Sequence, residues 1–278
     1  MKREGALSNV YTKHPHVLRF THYDLQSACW TFINQNRIIV NLQPIHFIYF
    51  DLDDTLLDHR LAERRGLDDV RRAPASPFAS ISLDTLHATY HTHSVPLWRQ
   101  YAAGEIGKHD VQRLRFERTL HTLGLDGQQA EALNALYLDC YARHWTFPPD
   151  ARDAFLALAD YFPIGILTNG FAEIQHAKFD RFPELRERAE VLIISEEVGY
   201  MKPNPQIFAH ARQMAGAAPE ALLYVGDSYT SDVQGAVNAG WQMAWYTTEE
   251  TAEKETAPEA VFRFQKWEAL TNFILGSV

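Results

Sequence analysis

His46-Phe47-Ile48-Tyr49-Phe50-Asp51-Leu52-Asp53-Asp54-Thr55 is the stretch on which the reading of this chain turns. Its first half is short, apolar and rich in β-favouring residues, which predicts a buried strand. Its acidic second half reads as the exit turn. Three carboxylates then crowd the carboxyl end of a central strand, where open α/β sheets bind their ligands. Like charges held that close repel unless a cation sits among them. The stretch therefore asks for a metal ion and offers a carboxylate as nucleophile.

Working outward, a long helical region follows before the next apolar run. Ser82 to Tyr101, Asp110 to Leu123 and Gln128 to Trp145 have helix-like apolar spacing. Gly104, Gly107, Gly124 and Gly127 punctuate them, and the segment from Arg71 to Pro77 reads as a loop. From Pro148 the pattern changes to alternation. Strands are expected at Ile164–Leu167, Val191–Ile194, Leu222–Val225 and Met243–Tyr246. Helices are expected from an Asp150 cap to Tyr161, over Phe171–Arg181, from an Asn204 cap with Pro205 in its first turn to Gly216, over Ser231–Asn238, and over Lys266–Leu275. Such alternation predicts a parallel sheet covered on both faces, a three-layer Rossmann-like α/β core. The expected division is a core of residues 44–65 and 146–278 with a helical lobe, 66–145, inserted into it. Residues 1–43 have mixed polarity and no clean period, and read as a poorly ordered extension.

Composition narrows the function. The chain has 278 residues, 46% of them hydrophobic, which suffices for a substantial core. The net charge is −9 and no long basic run occurs, so a nucleic-acid polymer is not the expected partner. A phosphate substrate stays open, because a bound dication inverts the local field. Cys29 and Cys140 form no metal-binding spacing, and reduced thiols in a cytoplasmic protein are expected. No stretch is apolar enough for a membrane span and no secretory pattern opens the chain. The thirteen histidines show no ligand spacing.

Four chemistry-bearing sites fall at predicted strand exits. They are Asp51/Asp53, Thr168-Asn169-Gly170, Lys202 in Met201-Lys202-Pro203-Asn204-Pro205, and Gly226-Asp227 with Asp232 five residues on. In a parallel sheet all four can face one crevice. Each has a plainer reading: Asp232 as a helix cap, Lys202 as a solvated lysine, Asp54 and Thr55 as turn formers, and Asp58 as a cap.

The set DLDDT, ILTNG, MKPNP and GDSYTSD, in that order, resembles the haloacid dehalogenase-like superfamily of hydrolases over roughly Ile45 to Leu275. The resemblance implies a helical cap over the core and a role for each residue. Asp51 would be the nucleophile, forming an aspartyl phosphate, and Asp53 the general acid/base, its main-chain carbonyl also a metal ligand. Thr168, Asn169 and Gly170 would hold phosphoryl oxygens. Lys202 would neutralise Asp51 and the phosphoryl group. Asp51, Asp53, Asp227 and Asp232 would hold Mg²⁺, whose preference is for hard oxygen ligands. Dehalogenases of this fold generally lack the second aspartate, so Asp53 implies phosphoester hydrolysis. Phosphonate hydrolysis needs a cap lysine, and the helical lobe offers only Lys108; a phosphomutase stays open.

Ile166 to Phe171, Ile193 to Gly199, and Pro96-Leu97-Trp98 with Tyr101, Gly104 and Ile106 are similar to bacterial 5′-nucleotidases acting on pyrimidine nucleoside monophosphates. Trp98 and Tyr101, three apart on one helix face, could offer ring surfaces to a base or simply fill the lobe. Three readings stand: a 5′-nucleotidase, a sugar-phosphate or N-acylneuraminate-9-phosphate-type phosphatase, and a catalytically silent binding protein on the same fold. The expected partner is a small phosphorylated metabolite, and the expected assembly a monomer or homodimer.

Overall fold

The computed structural model describes residues 44–248 and 261–275, together with the backbone of β1 (Trp30–Thr31) and β2 (Asn41–Leu42), which pair antiparallel. The expected disorder of residues 1–43 otherwise lies outside the described residues.

The apolar run before Asp51 forms β3 (Phe47–Phe50), every residue of it buried. It lies inside a six-stranded parallel sheet with β4 (Ile164–Thr168), β5 (Val191–Ile194), β6 (Leu222–Gly226), β7 (Gln242–Tyr246) and β8 (Val261–Phe264). The order is β5-β4-β3-β6-β7-β8. The chain winds from β3 through β4 to β5, then returns to the other side of β3 for β6. The crevice at that reversal is where open sheets bind ligands. The strand β8 is a sixth that the sequence pattern did not indicate.

Alternation in β3 serves both faces. Ile48 and Phe50 enter one apolar cluster with Ile166, Val225, Phe155 of α5 (Ala151–Ala159) and Trp267 of the last helix, α11 (Trp267–Leu275). Phe47 and Tyr49 enter another with Leu167, Tyr224 and Phe208 of α9 (Pro205–Ala215). Strands buried on both sides are what a parallel sheet requires.

Four helices run between β3 and α5: α1 (His59–Arg72), α2 (Leu83–Ala102), α3 (Lys108–Thr122) and α4 (Ala130–Arg143). They close around a cluster of their own that includes Leu67, Tyr90, Phe116 and Tyr137. The helix α1 runs unbroken across residue 66, and Asp58 accepts from Leu61 N as its N-cap. We therefore place the junction of core and cap at Asp58 rather than at residue 66.

Other boundaries follow local chemistry. Asn204 caps α9, Pro205 opens it and Gly216 ends it in the left-handed region. Asp150 stands at the N-cap of α5 through its main chain alone, its carbonyl accepting from Ala154 N at 3.0 Å: it is left-handed, at φ 63°, and its side chain makes no capping bond. The helix expected over Ser231–Asn238 begins as a wide turn, Tyr229–Val233, and becomes regular only in α10 (Gln234–Asn238). Short helices α6 (Ala172–Arg181), α7 (Pro183–Arg188) and α8 (Ser195–Val198) complete the connections.

Candidate active site

Register brings the strand ends together. Phe50 lies opposite Ile166 on one side and Val225 on the other, so Asp51 emerges level with Leu167 and Gly226. Beyond Gly226 the chain makes its wide turn, closed by Val233 N on Ser228 O at 3.1 Å. That turn carries Asp232 back over the strand end. A Cβ on Gly226 would stand 2.5 Å from Asp232 Oδ2, so only glycine admits this return.

Lys202 ties the site together. Its Nζ donates to Asp51 Oδ1, Asp232 Oδ1 and the Tyr224 hydroxyl, each at 2.7 Å. Its side chain is 2% exposed and Asp232's is wholly buried. Burial opposes a charge on Lys202, but Asp232 and Asp51 outweigh it and raise its pKa, so it is a fixed cation. The loop is held from below by Asn169. Its amide accepts from Lys202 N at 2.8 Å and donates to Lys202 O at 3.0 Å. Asn169 therefore places the lysine.

Asp53 lies apart from that triad. Its two carboxylate oxygens accept from Lys178 Nζ at 2.6 and 2.8 Å, and Gln175 Nε2 donates to it at 3.0 Å. Burial works to raise the Asp53 pKa. The Lys178 charge, His59 and the hydrogen bonds from Lys178 and Gln175 outweigh it and hold the carboxyl below its ordinary range. Gln175 also donates to Thr168 Oγ1 at 2.8 Å. Gln175 and Lys178, three apart on α6, were not found from the sequence. The available signal was weak: two polar residues sharing a face of the helix that leaves the Thr168 turn.

The acids outnumber the cations at the strand ends. One oxygen from each of Asp51, Asp227 and Asp232 lies within 4.8 Å of the others. Burial raises Asp51, as do Asp232 and Asp53, and against the pull of Lys202 its pKa is pushed up to about 7. Asp227 is driven well above its ordinary value by burial and then by Asp54, Asp232 and Asp51, against the pull of Arg60. Thr55 Oγ1 donates to Asp227 at 3.3 Å, and the Arg60 side chain lies 3.3 Å from Asp54 and 3.5 Å from Asp227, so it links the second turn residue to this group. A buried set of hard oxygen donors with excess negative charge fits a magnesium ion. Asp51 and Asp227 each have a carboxylate oxygen that could hold it directly. Asp232, with one oxygen on Lys202 and the other accepting from Ser228 N at 2.9 Å, is already engaged.

Residues 45–240 match the model of the haloacid dehalogenase-like hydrolase family. This chain belongs to the haloacid dehalogenase-like hydrolases. It is 32% identical over 213 residues to the pyrimidine 5′-nucleotidase YjjG of Escherichia coli, covering 75% of this chain and 89% of that protein. It is 25% identical over 214 residues to the N-acylneuraminate-9-phosphatase of Rattus norvegicus, covering 72% and 82%. Among solved structures, the magnesium-bound HAD-hydrolase YfnB of Bacillus subtilis is similar at TM-score 0.68 and 25% identity, covering 83% of this chain and 99% of that one.

In this haloacid dehalogenase-like hydrolase a cavity of about 610 Å³ lies between the helical layer and the strand ends, within the usual range for small-molecule sites. Asp53, Asn169, Gly170, Lys178 and Lys202 line its sheet side, and Tyr90, Ser94, Trp98 and Arg115 its helical side. Thr168 is fully buried behind Asn169 and Gly170. Trp98 stacks on Phe171, centroids 4.7 Å apart at 28°, and faces the cavity. Tyr101 does not line it. Its ring meets Trp98 and Phe171 edge-on and its hydroxyl donates to Glu196 at 3.4 Å. Of the two expected ring surfaces, the structure leaves Trp98. Lys108 also points elsewhere, to Glu173 at 2.7 Å and Glu196 at 3.1 Å. Burial lowers its pKa, but the two glutamates raise it further, so it stays a cation that links α3 to the core. Cys140 is a buried free thiol, and Cys29 lies outside the described residues. No helix among the described residues is long and apolar enough to cross a membrane.

Proposed function

We propose that this phosphatase hydrolyses small phosphomonoesters through an aspartyl-phosphate intermediate, with pyrimidine nucleoside 5′-monophosphates as substrates. One observation carries the reaction: a second carboxylate, Asp53, lines the same cavity as Lys202, whose ammonium holds Asp51. A halide leaves without a proton, whereas an alkoxide needs one, and Asp53 is the group in reach to manage it.

The steps follow from the residues. Asp51, level with the strand ends, attacks phosphorus with its free oxygen while Lys202 holds the other. A P–O bond to Asp51 forms as the ester P–O bond breaks. A phosphate dianion arriving beside Asp53 raises that group's proton affinity, so in the complex Asp53 carries the proton and gives it to the leaving oxygen. Asp53, again an anion stabilised by Lys178 and Gln175, then takes a proton from water. The water oxygen bonds to phosphorus, the bond to Asp51 breaks, and inorganic phosphate and an alcohol result. The main chain at Asn169–Gly170, which lines the cavity, is assigned to the phosphoryl oxygens, although Gly170 N already donates to Ser195 Oγ at 3.1 Å, and Thr168, buried behind them with its hydroxyl on Gln175, is assigned to support them. Magnesium, held by Asp51 and Asp227 with Asp53's main-chain carbonyl and Asp232 in support, would supply charge neutralisation of the phosphoryl oxygens.

The nucleotide assignment is supported by the likeness to YjjG and by the Trp98–Phe171 ring pair at the cavity. The N-acylneuraminate-9-phosphatase likeness favours an acyl-sugar phosphate as the second reading. Initial rates on a panel of nucleoside 5′-monophosphates and sugar phosphates at fixed Mg²⁺ decide between them. Turnover concentrated on pyrimidine monophosphates is expected. Equal turnover of every ester would overturn the nucleotide assignment, and hydrolysis of none would overturn the enzyme.

A further inference from the structure

Arg115, on α3, is 5% exposed, and among the described residues no carboxylate lies within ion-pairing distance of it. Its Nε and Nη2 both donate to Asn134 Oδ1, at 2.9 and 2.5 Å. Its guanidinium carbon stands 5.0 Å from the Tyr137 ring centroid and 5.9 Å from those of Tyr90 and Phe116. Ring faces and an amide oxygen ease the burial of the charge without cancelling it. Glu63, the acid whose charge reaches Tyr90 and Tyr137 as that of Arg115 does, is taken by His87 at 3.3 Å, His59 at 3.7 Å and His91 at 3.8 Å.

A second observation lies beside the first. The Tyr90 hydroxyl is buried within reach of the hydroxyls of Tyr137 and Ser94, but does not have the geometry of a formed hydrogen bond to either. Buried hydroxyls are almost always partnered, so one left without a formed bond, on a ring whose centroid is 5.9 Å from the guanidinium carbon, wants explanation. Tyr90, Ser94, Arg115 and Tyr137 all line the cavity that Asp53 and Lys202 line from the sheet side. None of them has a part in the phosphoryl chemistry. A phosphoryl group placed at Asp51 leaves this end of the cavity to the leaving group.

We propose that Arg115, with Tyr90, is the specificity element of the enzyme, and that it recognises a carbonyl or carboxylate oxygen on the leaving group. The proposal rests on the phosphomonoesterase reading and adds the class of ester. A planar fork of N–H donors matches such oxygens, and inside a buried cavity a charged donor discriminates strongly against a leaving group that lacks them. Every pyrimidine base carries a ring carbonyl and adenine carries none. An acidic sugar offers the same acceptor with a full charge.

The test is steady-state kinetics of the full chain with Mg²⁺ on uridine 5′-monophosphate, adenosine 5′-monophosphate, N-acylneuraminate 9-phosphate and phenyl phosphate. Wild type, Arg115→Met, Arg115→Lys and Tyr90→Phe are compared. Arg115→Met is expected to lower kcat/KM on the carbonyl- or carboxylate-bearing ester by roughly 10- to 100-fold, chiefly through KM, with phenyl phosphate changed by no more than about twofold. Arg115→Lys keeps the charge and loses the fork, so it recovers turnover of a carboxylate ester more than of a carbonyl one. Tyr90→Phe removes only a hydroxyl without a formed bond, and gives a smaller loss on the same ester even where Arg115→Met does not fold. An equal loss on all four esters, or no loss in the Arg115→Lys and Tyr90→Phe proteins, overturns the proposal. Wild type that hydrolyses only the acidic sugar ester, with the Arg115 loss intact, overturns the nucleotide assignment and leaves Arg115 in place. Wild type that turns over uridine and adenosine monophosphates alike, and the other two esters poorly, overturns the role of Arg115 and leaves a nucleotidase without pyrimidine preference.

Discussion

The Lys178 ammonium bridges both carboxylate oxygens of Asp53, at 2.6 and 2.8 Å, from a side chain that is only 2% exposed. Its Nζ also lies 5.5 Å from the Tyr141 ring and 5.8 Å from the Trp145 ring, so the residue that grips Asp53 rests on the last helix of the cap and its exit. Lys178→Met would leave a mostly buried carboxylate uncompensated. A loss of about 3 kcal/mol in stability is expected, by urea unfolding, together with a kcat reduced by roughly 10- to 100-fold. Adding Asp53→Asn should recover the stability and none of the activity. A double variant as unstable as Lys178→Met would show that the ammonium is held for packing alone.

Asp51→Asn is expected to lower kcat by about four orders of magnitude or more while the melting temperature stays level or rises. The reason is that burial, Asp232 and Asp53 already push Asp51 up to about 7 against the pull of Lys202. A neutral isostere removes repulsion as well as attraction. Retained turnover in that variant would refute the nucleophile assignment.

Chelation should abolish activity and added Mg²⁺ restore it. Because the acids repel one another, the ion should also stabilise the fold, by about 2.7 kcal/mol at a hundred times its dissociation constant. Thermal scans with and without Mg²⁺ measure this. Asp227→Asn should melt at a similar or higher temperature without the ion and respond less to it. A wild-type melting point indifferent to Mg²⁺ would count against the site.

Glu63 gives a stability signature in pH. Burial would raise its pKa, but hydrogen bonds from His87 and His91 and the charge of His59 hold it well below the ordinary value. That contribution is present above a pH of about 4.5 and fades as pH falls. His91 is raised, first by its hydrogen bond to Glu63 and against burial. Its contribution is whole below a pH of about 6.5 and is lost as pH climbs through the raised value. The melting-temperature gap between wild type and Glu63→Gln should therefore be widest between about pH 4.5 and 6.5. A gap that grows steadily toward alkaline pH would contradict the assignment. His91 is largely exposed, so salt should narrow the gap.

Gly165→Ala tests the sheet. Its Cβ would stand 2.2 Å from Cε1 of Tyr49, whose hydroxyl is anchored on Ala211 O at 2.7 Å. The ring cannot step aside without breaking a buried bond. Destabilisation of about 3 kcal/mol, at the upper end of overpacking, is expected from denaturant unfolding. An unchanged midpoint would mean that β3 and β4 separate more easily than their register implies.

What could be read in the chain was whatever local chemistry determines. The β3 run, the Asn204 cap and the acidic turns carry their geometry in adjacent residues, and Asp51, Lys202, Asp227 and Asp232 converge as their strand exits imply. What could not be read depends on distant partners. In α1 the buried face is Ala62, Glu63, Gly66, Leu67 and Val70, a stripe too small and polar to stand out among five arginines. Lys178 and Arg115 sit in helices crowded with other charged residues, and only the fold shows that these two are buried. Tyr101 erred the other way: its spacing from Trp98 is helical, but the Phe171 edge turns it from the cavity.

The cap's main apolar cluster, around Tyr90, Phe116 and Tyr137, shares no buried residue with either cluster of the sheet, and the cap meets the core instead at Phe182 and in a smaller cluster where Leu97 and Val111 pack with Phe171. Mutations that reshape the lobe around Tyr90, Arg115 and Tyr137 can thus accumulate while the machinery at the strand ends is left alone. A lineage built this way can diversify in what it accepts without relearning how to cut, and descendants with unlike diets should differ first in α2 and α3.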